Sequence, residues 1–353
     1  MNAIRINLHG VRLILAIVLA TAISACRAPQ PALKPLDLDG SKPIAAVAQE
    51  LGDAINGASK TTLRLSPELV ASAKAFVKMA PLANGSDEQK RLLLLADTCA
   101  RNANAVASTL ASPRTLHFPA ERSLGKVSSA KDGKTWREIG LAQGTLELEP
   151  EYVLMVNLDE SASDNDLALL AALPPGAFQY LVISSREISK QGFEYLTQIV
   201  GLRQLSLYGT TYDDSVLPII AQCYGLNHVN LMGTKVTDNG MESLKLLPAL
   251  REIGVGDTAV GDRGLFVISQ FPAIESVILR NNTVTDVGVD YLRRAATLSR
   301  LWLSGPMITD QSVPLLSELK NLRELALLNT HVSERAIRSL QKALPECKVE
   351  VVF

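Results

Sequence analysis

Residues 181–348 divide into seven consecutive blocks of 24 residues with no insertion or deletion, and few folds satisfy that constraint. The blocks start at Leu181, Leu205, Val229, Ile253, Val277, Leu301 and Leu325. Within each, apolar residues return at places 1, 3, 8, 13 and 16 and usually at 19 and 22. Place 8 reads Ile188, Tyr212, Val236, Val260, Val284, Ile308 and Val332, and place 16 reads Leu196, Ile220, Leu244, Ile268, Leu292, Leu316 and Leu340. A fixed period in this range predicts stacked units, none of which buries its apolar edge without neighbours.

The beat changes inside each block. Places 1 and 3 alternate apolar with variable, as in a strand with one buried face. Places 13, 16 and 19 follow helical spacing. Between them stand polar pairs such as Thr237-Asp238, Thr285-Asp286 and Thr309-Asp310, whose side-chain oxygens suit the start of a helix. Pro218 and Pro314 both occupy place 14, which puts them in a helix's first turn, and Pro248 and Pro272 at place 20 close it.

The pattern L-x-L-x-x-T-x-V-T-D-x-G-L-x-x-L resembles the leucine-rich repeat family, in particular its bacterial 24-residue T-D-x-G type. Blocks 3 and 5 match closely. Block 4 has Gly261-Asp262 and block 7 has Ser333-Glu334 in place of Thr-Asp. The resemblance implies an α/β solenoid, a curved parallel sheet on the concave side with short helices outside, and a binding function on that concave side.

The remaining half of the chain divides by composition. Arg5 and Arg12 precede the apolar run Leu13 to Ala20, and residues 1–25 are expected to be a secretory signal peptide, too short to span as a permanent helix. The small residues Ser24 and Ala25 before Cys26 resemble the bacterial lipobox, which implies a diacylated and N-acylated Cys26 that anchors the protein without crossing the membrane. The alternative is an ordinary signal peptide cleaved at the same small residues. Arg27 in second place implies, through the same resemblance, the outer membrane if the host is diderm.

Residues 26–43 carry Pro29, Pro31, Pro35 and Pro43 and read as a tether. Residues 44–112 are expected to be helical. One run is opened by Ser41-Lys-Pro43 and faces inward with Ile44, Val47, Ala48, Leu51, Ala54, Ile55 and Ala58. A second follows Ser66-Pro67-Glu68, and a third starts from a Ser86/Gln89 capping box and extends to about Ala111. These faces are expected to pack on each other or on the first repeat. Their polar sides lack the lysine and arginine density of membrane-lying helices.

Residues 122–155 switch to strand patterning, with runs at 124–127, 136–139, 145–148 and 152–156 expected to form a small antiparallel sheet that caps the solenoid. The solenoid itself is expected over 156–353, starting from a degenerate eighth unit at Val156 and Leu158 and ending in a terminal strand at Val349 to Val352.

Chemistry is sparse. The net charge of −1 gives no electrostatic argument for nucleic acid. His117, His228 and His331 lack ligand-spaced partners, so no metal site and no cofactor is expected. Cys223 stands at place 19, where other blocks have apolar residues, and reads as a core thiol about 25 Å from Cys347. A Cys99–Cys347 bond in an oxidising compartment stays open. With no phosphate loop, nucleophile elbow or paired carboxylates, a non-enzyme is expected.

Since places 1 and 3 point to the core, places 24, 2 and 4 must face the concave side. From those columns the candidate partner-binding residues are Tyr208, His228, Asn230, Met232, Gly254, Gly256, Ile278, Arg280, Arg300, Trp302 and Leu328. Tyrosine, tryptophan and arginine are the types enriched at interface hot spots. Gly254 and Gly256 are expected to leave a notch, or else merely to accommodate strand packing. The expected partner is a protein or peptide. Two other readings stand beside it: an envelope scaffold without a dedicated ligand, and an enzyme hidden in the helical region.

Overall fold

The computed structural model describes residues 42–58, 60–131 and 133–352, together with Leu33, Lys34, Leu36 and Leu38. The expected signal peptide, Cys26 and nearly all of the expected tether lie outside the described residues. All elements below belong to one unit, Leu36–Phe353.

Among the described residues eleven strands form one sheet. In chain order these include β2 (Gly125–Ala130), β3 (Arg137–Leu141), β5 (Val153–Leu158), β6 (Tyr180–Ile183), β7 (Gln204–Ser206), β8 (His228–Asn230) and β9 (Glu252–Gly254). The remaining four are β10 (Ser276–Ile278), β11 (Arg300–Ser304), β12 (Glu324–Leu328) and β13 (Lys348–Val352). From β5 to β13 every neighbour is the next strand in sequence and every pair is parallel. From β6 onward pairing joins residues 24 apart, as Ile253 with Val277 and Val277 with Leu301, while β5 pairs with β6 at an offset of 25. The fold is therefore an α/β leucine-rich-repeat solenoid. Val156 pairs with Leu181, so the degenerate unit takes its place in the stack.

Phase explains the core. The place 1 and place 3 side chains, among them Leu205, Leu207, Ile253, Val255, Leu301 and Leu303, are buried on the helix-covered face. They join places 8, 13 and 16 in one continuous apolar cluster running from Leu116 to Leu344. Place 5 turns the chain out of each strand with positive φ at Gly209, Gly233, Asp257, Asn281, Gly305 and Asn329, which accounts for the glycine, asparagine and aspartate in that column. Place 6 threonines close the same turn, the Thr210, Thr234 and Thr258 hydroxyls donating to the carbonyls of Leu207, Leu231 and Val255.

The T-D-x-G turn is an inter-unit clasp. The Asp262 carboxylate accepts the Thr285 N–H at 2.8 Å and the Thr285 hydroxyl at 2.7 Å, and Thr285 in turn caps its own helix by accepting from Val287 N–H. Asp214 holds Thr237, Asp286 holds Thr309 and Asp310 holds Ser333 in the same way. Where Gly261 replaces threonine, Asp238 accepts the N–H groups of Gly261 and Gly264 at 2.7 and 2.8 Å. In four blocks the place is glycine, and a Cβ on Gly192, Gly240, Gly264 or Gly288 would run into the preceding unit's carboxylate. Val216, Ser312 and Ala336 take the place in the other three blocks: the block before Val216 has Lys190 at the aspartate's place, and the Ser312 hydroxyl donates to Asp286.

Among the described residues four α-helices precede the sheet: α1 (Ile44–Asn56), α2 (Lys60–Leu65), α3 (Pro67–Met79) and α4 (Ser86–Leu110). Helix α2 was not expected. The expected Ser86/Gln89 capping box does not form: Gly85, with φ 93°, precedes the helix, and the Gln89 amide donates to the Ala83 carbonyl. Ala54, expected inward, is exposed. The helices bear on the turns that lead into β6, β7 and β8. Glu68 bridges Arg203 at 3.2 Å and accepts from Asn227 at 3.0 Å. The Ser72 hydroxyl donates to the Tyr224 carbonyl, Phe76 packs edge-on against Tyr224, and Val106 lies against Gly176 and Gly201.

The expected meander is split between two sheets. β2 sits between β3 and β5, so these antiparallel strands extend the solenoid sheet directly. β4 (Thr145–Leu148) leaves it to pair with β1 (Arg114–His117), a strand that was not expected. Cys99, Cys223 and Cys347 are free thiols, which removes the Cys99–Cys347 bond; Cys99 is enclosed in the buried face of α4, where desolvation pushes its pKa up to about 12. Among the described residues no helix is long and apolar enough to cross a membrane.

Candidate functional site

Places 24, 2 and 4 project from the open face of the sheet, opposite the buried columns, and parallel in-register pairing lines them into three rows. The place 24 row is a chain of polar and charged side chains. His228 Nδ1 stands 3.5 Å from Glu252, whose other oxygen is 3.3 Å from Arg300 Nη1; Arg300 Nε lies 3.2 Å from Glu324. The Trp302 indole N–H donates to the remaining Glu324 oxygen at 3.3 Å, fixing the ring from the neighbouring row.

Arg300 reaches Glu252 across a whole intervening strand. Ser276 occupies that strand's position in the row; it is 4% exposed, and its hydroxyl has no partner among the described residues. A small side chain there lets the guanidinium pass over. Burial lowers the His228 pKa, Glu252 opposes the shift and Arg300 reinforces it, so the imidazole is held neutral near pH 7.

The place 2 and place 4 rows are more apolar. Tyr208 is 61% exposed and Trp302 38%, while Asn230, Met232, Ile278 and Leu328 are half-buried. Arg280 is exposed beside Asp257, its Nε 4.0 Å from that carboxylate, which also accepts from the Asn281 amide at 2.8 Å. The expected notch is absent. Gly254 and Gly256 are buried, with the Met232 side chain lying over both and the Arg280 stem closing the far side of Gly256. The two glycines make room for Met232, and a flexible thioether fills such irregular gaps readily.

Glu252 and Glu324 are the residues that sequence reasoning passed over. Their signal is readable in the place 24 column, where both carboxylates flank Arg300 at offsets of one and two units. At the other end of the same row, Tyr180 packs edge-on against Trp136 with ring centroids 4.5 Å apart. Among the described residues no group of three metal-ligating side chains converges.

No protein-family model and no curated protein matches the chain. Among solved structures it is similar to an internalin (inlF) from Listeria monocytogenes, at 18% identity and TM-score 0.41, over 56% of this chain and 66% of that one. It is similar also to an internalin C2 of Listeria monocytogenes (18% identity, TM-score 0.38, 54% of this chain and 84% of that one). A leucine-rich repeat protein of Leptospira interrogans gives 16% identity and TM-score 0.37, over 53% and 56%. The chain thus spans just under two thirds of the first of these and little more than half of the third.

Proposed function

We propose that this chain is a membrane-tethered recognition module that holds an extended protein or peptide segment on the open face of its sheet. The observation that carries this reading is the contrast between the faces. One face is filled by the same apolar residues in every unit, while the other presents Tyr208, Arg280, Arg300 and Trp302, each once. Large aromatic and guanidinium groups already held in place lose little side-chain entropy on binding and supply most of the energy at protein interfaces. Glu324 orients both Arg300 and Trp302.

The tether belongs to the proposal. Acylation of Cys26 would place the module on the surface of a bacterial envelope membrane, the outer one in a diderm host, at the end of the proline-containing segment 26–43. Replacing Cys26 with serine is expected to leave an unacylated precursor, read by metabolic labelling with an acyl probe; label retained elsewhere on the chain overturns the anchor.

A scaffold reading draws on one observation, that the Glu252, Arg300 and Glu324 charges of the place 24 row satisfy each other. The two readings part on the variant Trp302→Ala/Arg280→Ala. Loss of partner capture from envelope extract with the fold intact supports recognition, and undiminished capture removes the open face as the site.

A further inference from the structure

The two ends of the eleven-stranded sheet are finished differently. At one end β3 is paired to β2 through a register shift between Val127 and Ser128, and Arg137 and Glu138 are exposed on it. A bulge and exposed charges blunt that edge. At the other end β13 runs in unbroken register with β12 over five pairs and, among the described residues, has no strand on its outer side. Its core-facing Val349 and Val351 are only half-buried, where the equivalent side chains of β12, Leu325 and Leu327, are fully enclosed.

We propose that the free edge of β13 pairs antiparallel with β13 of a second copy of this chain, across a two-fold axis normal to the sheet and centred on Val349. Backbone direction sets which residues can pair. Lys348 N–H bonds the Arg323 carbonyl of the turn into β12, and the Val352 carbonyl accepts from Asn329 just beyond β12, so residues 348, 350 and 352 point inward. Alternation then turns the N–H and C=O of Val349 and Val351 to the open edge. With the axis at Val349, the two copies of that residue exchange both hydrogen bonds, and the Val351 N–H can donate to the Cys347 carbonyl of the second copy, while the Cys347 N–H stays with the Leu344 carbonyl at 3.0 Å. Residue 348 falls opposite residue 350 in the closer, non-hydrogen-bonded type of pair.

Charge selects this register. Lys348 and Glu350 share one face of the strand, so the axis at Val349 sets each lysine against the second copy's glutamate, twice. Moving the axis to Glu350 would set two carboxylates against each other in the close pair. The chosen register also lays Val349 against its own copy on the core side and keeps both apolar layers on one side of a continuous sheet. Both open faces then look the same way, giving two recognition surfaces on one assembly.

Sedimentation equilibrium of the full chain in mild detergent tests this, with Lys348→Glu, Glu350→Lys and the combined swap. Association that strengthens with concentration is expected, weakened roughly tenfold by either single reversal and restored by the swap, since opposite charges again face each other. A chain that stays monomeric up to about millimolar concentration, association indifferent to the single reversals, or a swap that fails to restore it each overturns the proposal. A second readout does not depend on charge. In a Cys347→Ser background, Val349→Cys is expected to give a covalent dimer with a short bismaleimide and Leu141→Cys on the opposite edge none; equal yields from both contradict the pairing.

Discussion

The two sides of each repeat obey opposite rules. On the helix side, Asp214, Asp238, Asp262, Asp286 and Asp310 repeat one device, each carboxylate gripping the backbone of the next unit. On the open side no two neighbouring units present the same three residues: Gln204, Ser206 and Tyr208 give way to His228, Asn230 and Met232, then to Glu252, Gly254 and Gly256. Stacking requires the same contact every 24 residues, whereas the open face carries no such requirement. Stability therefore resides in what is repeated, and recognition is available to what is not.

That comparison can be broken by substitution. The largest effect is expected at Gly288, where valine would drive the Asp262 carboxylate out of its seat and undo the clasp on Thr285; a loss of about 3–4 kcal/mol in denaturant unfolding is expected. Asp262→Ala removes the same two bonds without the clash and should cost about 2–3 kcal/mol. Equal stability of wild type and both variants would show that the clasp does not hold the stack. On the open face, Trp302→Ala/Arg280→Ala should change stability by about 1 kcal/mol or less while weakening partner capture at least ~30-fold. A pair of melting curves and a titration decide it.

The smallest expected effect concerns pH. Burial lowers the His228 pKa in the folded chain, so the unfolded chain takes up the proton first. The His228 contribution to stability is flat above about pH 7 and falls as pH drops through the unfolded value of about 6.5 towards the lowered one. His228→Gln should flatten that part of the profile, measured as denaturant midpoints between pH 5 and pH 7.5. An unchanged slope would place the proton uptake elsewhere.

Much of the frame was legible because it recurs. Seven copies averaged out local exceptions, so the substitution of Gly261 for threonine did not obscure the phase that buries Ile253 and Val255. Outside the repeats, single segments had to be read once. The short run Lys60–Leu65 gave too little periodicity to reveal a helix, and Arg114–His117 becomes a strand only by pairing with Thr145–Leu148, about 30 residues away. Gly85 took the capping place assigned to Ser86 because its positive φ turns the chain into the helix. On the open face the directions of the columns followed from the two-residue strand beat, but their contacts did not. The Glu252–Arg300–Glu324 bridge joins residues 24 and 48 apart, and the notch at Gly254 and Gly256 was lost to Met232, a side chain long enough to lie across both.

Photo-crosslinking compares the two sides in a single measurement. A benzophenone amino acid is placed at Tyr208 on the open face in one chain and at exposed Leu246, just past the helix of its repeat, in another, and both are irradiated on intact envelopes. A discrete protein adduct from position 208 and none from position 246 is the result expected of recognition by the unrepeated side; adducts from 246 with none from 208 would contradict it.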